Sequence, residues 1–331
     1  MQTDASHPND GGYSTGRHRA ARKVDLSIIV PVYRGVECLE RLVSRIDQAL
    51  GSANISFEIV LVNDCSPDNS WAKISDLSRS RPFLVGINLR KNVGQDNAIM
   101  AGLRYSAGRI IVIMDDDLQH DPGDIRKLVN GLNNGHDVCF GRYRTQKQKW
   151  WKRFGSRLNG KLAEILLKKP ANIYLSPFKA IRRSVVDEIC RYHGPYAYID
   201  GLILSVTSRF TQVDVTHHRR FSGQSNFTLV RSLRVWMRLL TSYSVVPLRV
   251  ASVSGFLAAG IGFFLGIVYL SWHFVFGGSV EGWTTLIITI LFIGGIQLIG
   301  IGLLGEYIGR IFLTVNTYPQ FSVLEIIDSR E

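Results

Sequence analysis

The sequence predicts an α/β domain with a mostly parallel sheet, followed by two helices that span a membrane. Short apolar runs alternate with helical segments over the first part of the chain, which is the pattern of a parallel sheet covered on both faces. The apolar run Ile110–Met114 ends abruptly in three consecutive carboxylates. Two later stretches, 245–270 and 284–308, are almost free of charge. Each is long enough to cross about 30 Å of hydrocarbon.

The elements of the α/β domain follow one another in a regular order. The strands are short runs rich in β-branched residues, whereas the helices repeat apolar residues at three- and four-residue spacing. Strands are predicted at Leu26–Val32, Phe57–Asn63, Phe83–Asn88 and from Ile110, and helices at Val36–Leu50, Ser70–Ser80 and Gly94–Tyr105. Asp121 and Pro122 predict a further helix start, since Asp caps helices and Pro suits their first position.

Asp115 and Asp117 are the first candidates for a functional site. They follow a buried strand, and ligands of open α/β sheets bind at the carboxyl ends of the strands. Residues two apart face the same side of a regular strand, and carboxylates this close raise each other's pKa unless a cation lies between them. The pair therefore suits a hard divalent ion that also binds phosphate oxygens. The alternative is a solvated acidic turn or helix cap, which the preceding apolar strand disfavours.

The charge of the chain indicates anionic partners. The 331 residues carry a formal net charge of +12, and basic residues are concentrated in Arg142–Lys169 and Arg209–Arg249. Such surfaces bind nucleic acid, anionic lipid or phosphorylated substrates. No nucleic-acid module is recognisable, and the basic stretches lie beside the predicted spans, so lipid and phosphorylated substrates are favoured. Residues 1–23 lack the apolar core of a signal peptide and are predicted to be a disordered basic tail.

Two basic amphipathic segments are predicted next to the membrane. The pattern in Gln148–Lys168 fits equally a core helix with a solvated basic face and a helix lying on anionic headgroups. Residues 227–244 repeat it and lead directly into the first span, which favours an interface helix. The link between the spans has no Lys or Arg. The positive-inside rule therefore places the domain 24–226 and the C-terminal tail 309–331 in the cytoplasm.

Several motifs together resemble a known family. In order they are Ile29-Val30-Pro31-Val32-Tyr33, Val62-Asn63-Asp64-Cys65-Ser66-Pro67-Asp68, Arg90-Lys91-Asn92-Val93-Gly94-Gln95, Asp115-Asp116-Asp117-Leu118-Gln119 and Gly302-Leu303-Leu304-Gly305-Glu306-Tyr307-Ile308-Gly309-Arg310. From about Leu26 to Val323 the chain is similar to membrane-anchored family 2 glycosyltransferases of the polyprenyl-phosphate type. The resemblance implies a GT-A fold at the inner membrane. It also implies metal-dependent, inverting transfer of one sugar from a nucleotide-sugar, favouring UDP, to undecaprenyl phosphate.

The resemblance assigns roles on the donor side of such a site. Pro31 and Tyr33 would line the base and ribose pocket, and Asp64 would hydrogen-bond the base or the ribose. Asn92 and Gly94 would shape the same pocket from the loop after the third strand.

The resemblance places the metal and phosphates beside this pocket. Asp115 would approach the ribose and the metal, while Asp117 and Gln119 would hold Mg²⁺ or Mn²⁺ on the diphosphate, which makes Asp117 the predicted catalytic carboxylate. Asp116 stands where relatives usually carry Ala and receives no role. Arg220, before a Gly-x-Ser turn, would contact phosphate, with anionic lipid as the alternative partner.

The acceptor side departs from the family pattern. Many relatives carry an Asp and then Phe-Arg in this loop, whereas the chain reads Ser176-Pro177-Phe178-Lys179. Lys179 would keep a positive charge for phosphate without the bidentate geometry of Arg. Asp200 is the candidate general base, although Asp before Gly is as often a turn residue. A phosphate acceptor is already anionic at neutral pH, so a strong base is less necessary.

Two other functional classes remain open from the sequence. A processive polysaccharide synthase of the same superfamily usually carries a Gln-x-x-Arg-Trp motif and more spans, which this chain lacks. A catalytically degenerate membrane scaffold would explain the altered acceptor loop, but Asp115, Asp117 and Gln119 argue against it. The Gly-rich spans could also associate, so a homo-oligomer is a further expectation.

Overall fold

A computed structural model describes residues 24–51, 55–143, 173–218, 246–276, 282–316 and 318–330. The chain divides into two compact units. The first is an α/β unit that also takes in the C-terminal residues 319–330, and the second contains two long helices. The predicted tail 1–23, the segment Gln148–Lys168 and the interface helix 227–244 lie outside the described residues.

A single eight-stranded sheet forms the centre of the α/β unit. Its strands are β1 (Leu26–Val32), β2 (Phe57–Asn63), β3 (Leu84–Leu89), β4 (Ile110–Ile113), β5 (Val138–Tyr143), β6 (Lys179–Arg182), β7 (Phe210–Val215) and β8 (Val323–Asp328). Their order across the sheet is β7-β5-β6-β4-β1-β2-β3-β8. The pairs β4–β1, β1–β2, β2–β3 and β5–β7 are parallel, whereas β6 and β8 run antiparallel to their neighbours. The α/β class with a mostly parallel sheet is confirmed.

Helices cover both faces of the sheet. They are α1 (Val36–Leu50), α2 (Ser70–Ser80), α3 (Gln95–Tyr105), α4 (Ile125–Gly131), α5 (Arg183–Ile189) and α6 (Ile199–Val206). Alternate residues of β1 enter different cores: Ile28 belongs to the cluster that includes residues of α1, α2 and α4, and Ile29 to the cluster that includes residues of α3, α5 and α6. This alternation follows from the two-residue period of a strand. Since both faces are covered, β1 is buried along its whole length.

The helix start predicted at Asp121 is confirmed. A short 3-10 turn, Pro122–Asp124, leads directly into α4, and the Asp121 side chain accepts a hydrogen bond from the Gly123 N–H at 2.9 Å.

The second unit contains α7 (Val246–Phe276) and α8 (Trp283–Val315), which pack against each other. By length and composition, both are apolar enough to cross a membrane, over Ala251–Val268 and Phe292–Val315. Large apolar side chains on them face outward, with Phe256 86% exposed. Each helix continues past the end of its predicted span, to Phe276 and to Val315.

The C-terminal residues differ from the separate tail predicted for 309–331. Helix α8 continues to Val315, and residues 323–328 form β8, which pairs with β3 at the edge of the sheet. The backbone N–H of Arg90 donates to Ser322 O at 2.9 Å and extends this pairing. Residues after the second long helix are therefore part of the α/β unit.

Candidate active site

The three consecutive carboxylates form a tight loop at the carboxyl end of β4. Leu118 has a φ of 60°, an uncommon conformation for a residue with a side chain, and it reverses the chain after Asp117. The Gln119 N–H donates to Asp117 Oδ1 at 3.1 Å and closes the turn. Asp115 Oδ1 accepts from the Gln95 side chain at the start of α3, at 2.7 Å. One hydrogen bond within the loop and one from the start of α3 therefore fix its conformation.

Asp116, which the sequence left without a role, is the carboxylate most affected by this crowding. Burial and the charge of Asp115 raise the pKa of Asp116 to about 7. Its Oδ2 lies 3.4 Å from the Tyr33 N–H and points toward Gly35, where a Cβ would come within 2.3 Å of the same oxygen. A side chain at position 35 would therefore displace the Asp116 carboxylate from its place beside the loop after β1.

His120 contacts the acidic loop through a hydrogen bond to its backbone. Its Nδ1 accepts the Asp115 N–H at 3.1 Å, so its Nε2 carries the hydrogen and donates to Tyr143 Oη at 2.8 Å. Burial lowers the pKa of His120 to about 4, which keeps the ring neutral. The ring stacks on Phe178 with centroids 4.9 Å apart, and the Ser176 hydroxyl donates to Tyr143 Oη at 3.2 Å. A buried network therefore joins the acidic loop to the segment before β6.

Asp64 organises the predicted donor pocket. Its two oxygens accept the N–H groups of Val93 and Gly94 at 2.7 and 2.9 Å, and Asn92 Nδ2 donates to its backbone carbonyl at 3.0 Å. Burial raises the pKa of Asp64, opposed by these two N–H donors. Gly94 has a φ of 86°, so a glycine suits this turn before α3. The structure thus brings three predicted pocket residues together, and a carboxylate oxygen can accept a further bond from a nucleotide.

Pro31 and Tyr33 differ in accessibility. Pro31 is buried inside β1 opposite Val62, whereas Tyr33 is 47% exposed at the end of the strand. The Arg34 guanidinium carbon lies 5.6 Å from the centroid of the Tyr33 ring. Of the two, only Tyr33 has a side chain that is accessible at this end of β1.

Lys179 and Asp200, predicted to act separately, form one ion pair. Lys179 lies on β6 and Asp200 in the first turn of α6, and their side chains are 4% and 16% exposed. The Lys179 ammonium also lies 5.6 Å from the centroid of the Phe140 ring. The Lys179 ammonium is thus engaged by Asp200, and its predicted contact with a phosphate stays a prediction.

The segment after β7 runs alongside the acidic loop. The His218 N–H donates to Gln119 O at 2.9 Å, and the Gln119 side-chain nitrogen lies 3.4 Å from His217 Nε2. His218 Nε2 lies 3.2 Å from Asp121 Oδ2. Arg220 lies outside the described residues. His120, His217 and His218 were not among the predicted site residues, because their spacing in the sequence matches no metal-binding or catalytic pattern.

Within the described part of the chain, no three His, Cys, Asp or Glu side chains are grouped to hold a metal by themselves. Burial raises the pKa of Asp116 most, and the charges of Asp115 and Asp117 raise it further. A divalent cation beside these carboxylates would offset their mutual repulsion. Mg²⁺ and Mn²⁺ are commonly bound by one or two carboxylates, with water and substrate phosphates completing the shell. The residues fit a metal held jointly by this loop and a diphosphate.

The chain matches known proteins over most of its length. A family model described as "Glycosyl transferase family 2" matches residues 27–190. A relative from Aeromonas hydrophila subsp. hydrophila, named undecaprenyl-phosphate 4-deoxy-4-formamido-L-arabinose transferase, is 31% identical over 311 residues, covering 92% of this chain and 94% of that protein. A protein of the same name from an Enterobacter species is 31% identical over 305 residues, covering 91% and 93%.

Among solved structures, the chain is similar to a glucosyl-3-phosphoglycerate synthase from Mycobacterium tuberculosis in complex with Mn²⁺, UDP and glucosyl-3-phosphoglycerate. The TM-score is 0.48 at 18% identity, covering 70% of this chain and 82% of that one.

A mostly parallel sheet, with an acidic loop after β4 beside the Asp64 pocket, places both at the carboxyl ends of the strands, where α/β enzymes bind their ligands. The matches over the catalytic region and over nearly the full chain then identify its family. The chain belongs to glycosyl transferase family 2.

Proposed function

We propose that this enzyme transfers one sugar from a UDP-sugar to undecaprenyl phosphate at the cytoplasmic face of the inner membrane, with inversion at the anomeric carbon. The carrying observation is the acidic loop Asp115–Gln119 beside the Asp64 pocket in a chain that also has two long apolar helices. The names of the relatives support the acceptor, since both describe undecaprenyl-phosphate sugar transferases.

The donor would bind across the carboxyl ends of β1, β2 and β4. Tyr33 is exposed there to pack against the base, and Asp64 holds the loop of Asn92 and Gly94 in shape. Asp115 and Asp117 would hold Mg²⁺ or Mn²⁺ against the diphosphate. The bound ion supplies neutralisation of the negative charge that develops on the leaving diphosphate.

The acceptor requires little proton transfer. A polyprenyl phosphate oxygen is already anionic at neutral pH, so it can attack the anomeric carbon as the bond to the diphosphate breaks. Attack from the opposite side inverts the configuration. The protein's task is then to position the two substrates and to exclude water. Asp200, which is paired with Lys179, would contribute charge and shape on this side of the cleft.

The exposed apolar side chains of α7 and α8 support a membrane location. Phe256, Phe274 and Leu298 are each more than two-thirds exposed, and water is a poor solvent for such surfaces. The chain leaves the α/β unit before α7 and rejoins it after α8. An even number of crossings satisfies this connectivity, which supports the proposal that both chain ends lie on the cytoplasmic side.

The test is sugar transfer by the purified full chain in detergent. Undecaprenyl phosphate, Mg²⁺ or Mn²⁺ and a panel of UDP- and GDP-sugars, including UDP-4-deoxy-4-formamido-L-arabinose, would be supplied. We expect one donor to give a sugar-linked lipid by mass spectrometry, with loss of the product on chelation. Nucleotide binding without product from any donor would contradict the proposed acceptor. No nucleotide binding would favour the scaffold alternative, and polymeric product would favour the processive synthase.

A further inference from the structure

The side chain of Gln320 is buried in the segment that follows α8 in the chain. It is 5% exposed, although Gln is normally a surface residue. Its Nε2 donates to two backbone carbonyls, Tyr192 O at 3.2 Å and Gly194 O at 2.7 Å. Its Oε1 accepts from Arg104 at 2.9 Å. Every polar atom of this buried amide therefore has a partner, two of them in one loop.

Arg104, on α3, adds further contacts to the loop and to the C-terminal segment. It also donates to Tyr192 O at 3.1 Å, and its guanidinium carbon lies 5.2 Å from the centroid of the Phe321 ring. The C-terminal segment, helix α3 and the loop 191–198 consequently meet at one point.

The loop 191–198 leads directly to Asp200. After Gly194, the Pro195 carbonyl accepts from Asn97 Nδ2 at 3.1 Å, and the Ile199 N–H donates to Asp96 Oδ1 at 3.2 Å. Ile199 is the first residue of α6 and Asp200 the second. The contacts with Asn97 and Asp96 continue the anchoring that Gln320 begins, as far as the start of α6.

We propose that Gln320 is a positioning residue for the Lys179–Asp200 pair and acts through the loop 191–198. The inference rests on the proposed function, which places this pair on the acceptor side of the cleft. The loop has no helix or strand of its own between α5 and α6, so its course depends on side chains that satisfy its carbonyls. Without Gln320, the carbonyls of Tyr192 and Gly194 would lose a buried donor, and the start of α6 would shift.

Two variants at this position separate the contacts. Gln320→Met keeps the length of the side chain and removes every hydrogen bond. Gln320→Glu keeps an acceptor for Arg104 and removes both donors to the loop. Positioning through the loop predicts that the two variants behave alike. A role limited to holding Arg104 predicts that Gln320→Glu resembles the wild type.

Arg330→Gln provides the matched control. Arg330 anchors the other end of the same segment by donating to Glu58 Oε2 at 3.0 Å, and Glu58 is fully buried near the amino end of β2. This end lies away from the acidic loop, which follows the carboxyl end of β4. The control therefore loosens the C-terminal segment without touching the loop 191–198.

Hydrogen–deuterium exchange of the substrate-free full chain is the first readout. We expect Gln320→Met and Gln320→Glu to accelerate exchange in residues 191–200, whereas Arg330→Gln accelerates it only in β8 and around Glu58. This measurement needs no turnover. If the wild type transfers no sugar to a polyprenyl phosphate, the proposed function fails and the exchange pattern still decides whether Gln320 holds the loop.

Kinetics supply the second readout. For both Gln320 variants we expect kcat/KM for undecaprenyl phosphate to fall about tenfold or more, since small misplacements of reacting groups are costly. The Kd of UDP should stay unchanged. The inference is overturned if exchange in 191–200 is unaltered, or if the acceptor kcat/KM falls equally in Gln320→Met and Arg330→Gln.

Discussion

The ammonium of Lys179 pairs with the carboxylate of Asp200, and this contact joins strand β6 to the first turn of helix α6. Both side chains are largely removed from water. A buried charge depends on its partner, because desolvation is offset only by the opposite charge and by hydrogen bonds. The stability contributions of the two residues are therefore coupled. Replacing one of them alone should lower the free energy of unfolding more than replacing both.

The ion pair can be tested with a double-mutant cycle. We expect Lys179→Met alone to lower the free energy of unfolding by about 3–5 kcal/mol, because it leaves the Asp200 carboxylate without its cation. Lys179→Met combined with Asp200→Leu should recover most of this loss. The measurement is denaturant unfolding of the single and double variants. Additive losses in the double variant would contradict the coupling.

Replacing two neighbouring carboxylates of the acidic loop should affect kcat differently. Asp117→Asn should lower kcat on the order of a hundredfold or more, because it removes charge that would hold the metal on the diphosphate. Asp116→Asn should keep most of the wild-type rate, since an Asn oxygen can still accept the Tyr33 N–H. Sugar transfer at saturating Mg²⁺ and Mn²⁺ is the measurement. Equal losses in the two variants would contradict the assignment of the metal to Asp117.

Two conservative replacements of His120 should differ in their effect on nucleotide affinity and kcat. His120→Asn leaves an oxygen near the position of Nδ1 and can still accept the Asp115 N–H. His120→Gln reaches toward Tyr143 instead and leaves that N–H without its acceptor. We therefore expect UDP–Mn²⁺ affinity and kcat to be better preserved in His120→Asn, with both variants below the wild type because each loses the stacking on Phe178. The reverse order would show that the contact with Tyr143 matters more.

Cys65 offers a label for the donor pocket. It is exposed directly after Asp64, and its Sγ lies 3.7 Å from Arg90 O. We expect alkylation of Cys65 to be slowed by UDP with Mn²⁺, because the nucleotide would cover this end of β2. The rate is followed by mass spectrometry of the labelled peptide. Cys139 is the internal control, since it is buried and burial raises its pKa to about 12, so it should not react in the folded protein. An unchanged Cys65 rate at saturating UDP would place the nucleotide elsewhere.

Most strands of the sheet and the residues of the predicted donor pocket could be predicted from the sequence. The bounds of β1 and β2 agree with their apolar runs, and the third strand differs by only one residue at each end. Asp64, Asn92 and Gly94 were expected in one pocket and do meet there. The resemblance to the family assigned them to one pocket, and the physical reason they meet is that the carboxyl ends of parallel strands lie at one edge of the sheet.

The contacts on the proposed acceptor side could not be derived in the same way. The Lys179–Asp200 pair and the contacts of Gln320 with Tyr192 and Gly194 each depend on where separate elements lie after folding. A single Gln or Lys has no periodicity that marks a buried role. Arg220 and the two basic amphipathic segments lie outside the described residues, so their roles stay predictions.

The sequence by itself determined the α/β class, the two long apolar helices and the acidic loop after β4, because each is encoded in a continuous stretch whose pattern reflects burial. Only the tertiary structure decided that β8 pairs with β3, that His120 accepts a hydrogen bond from the Asp115 N–H, and that Lys179 forms an ion pair with Asp200. The physical reason is that hydrophobic periodicity reports which residues are buried, whereas hydrogen bonds and ion pairs between distant residues depend on the exact distances that packing creates.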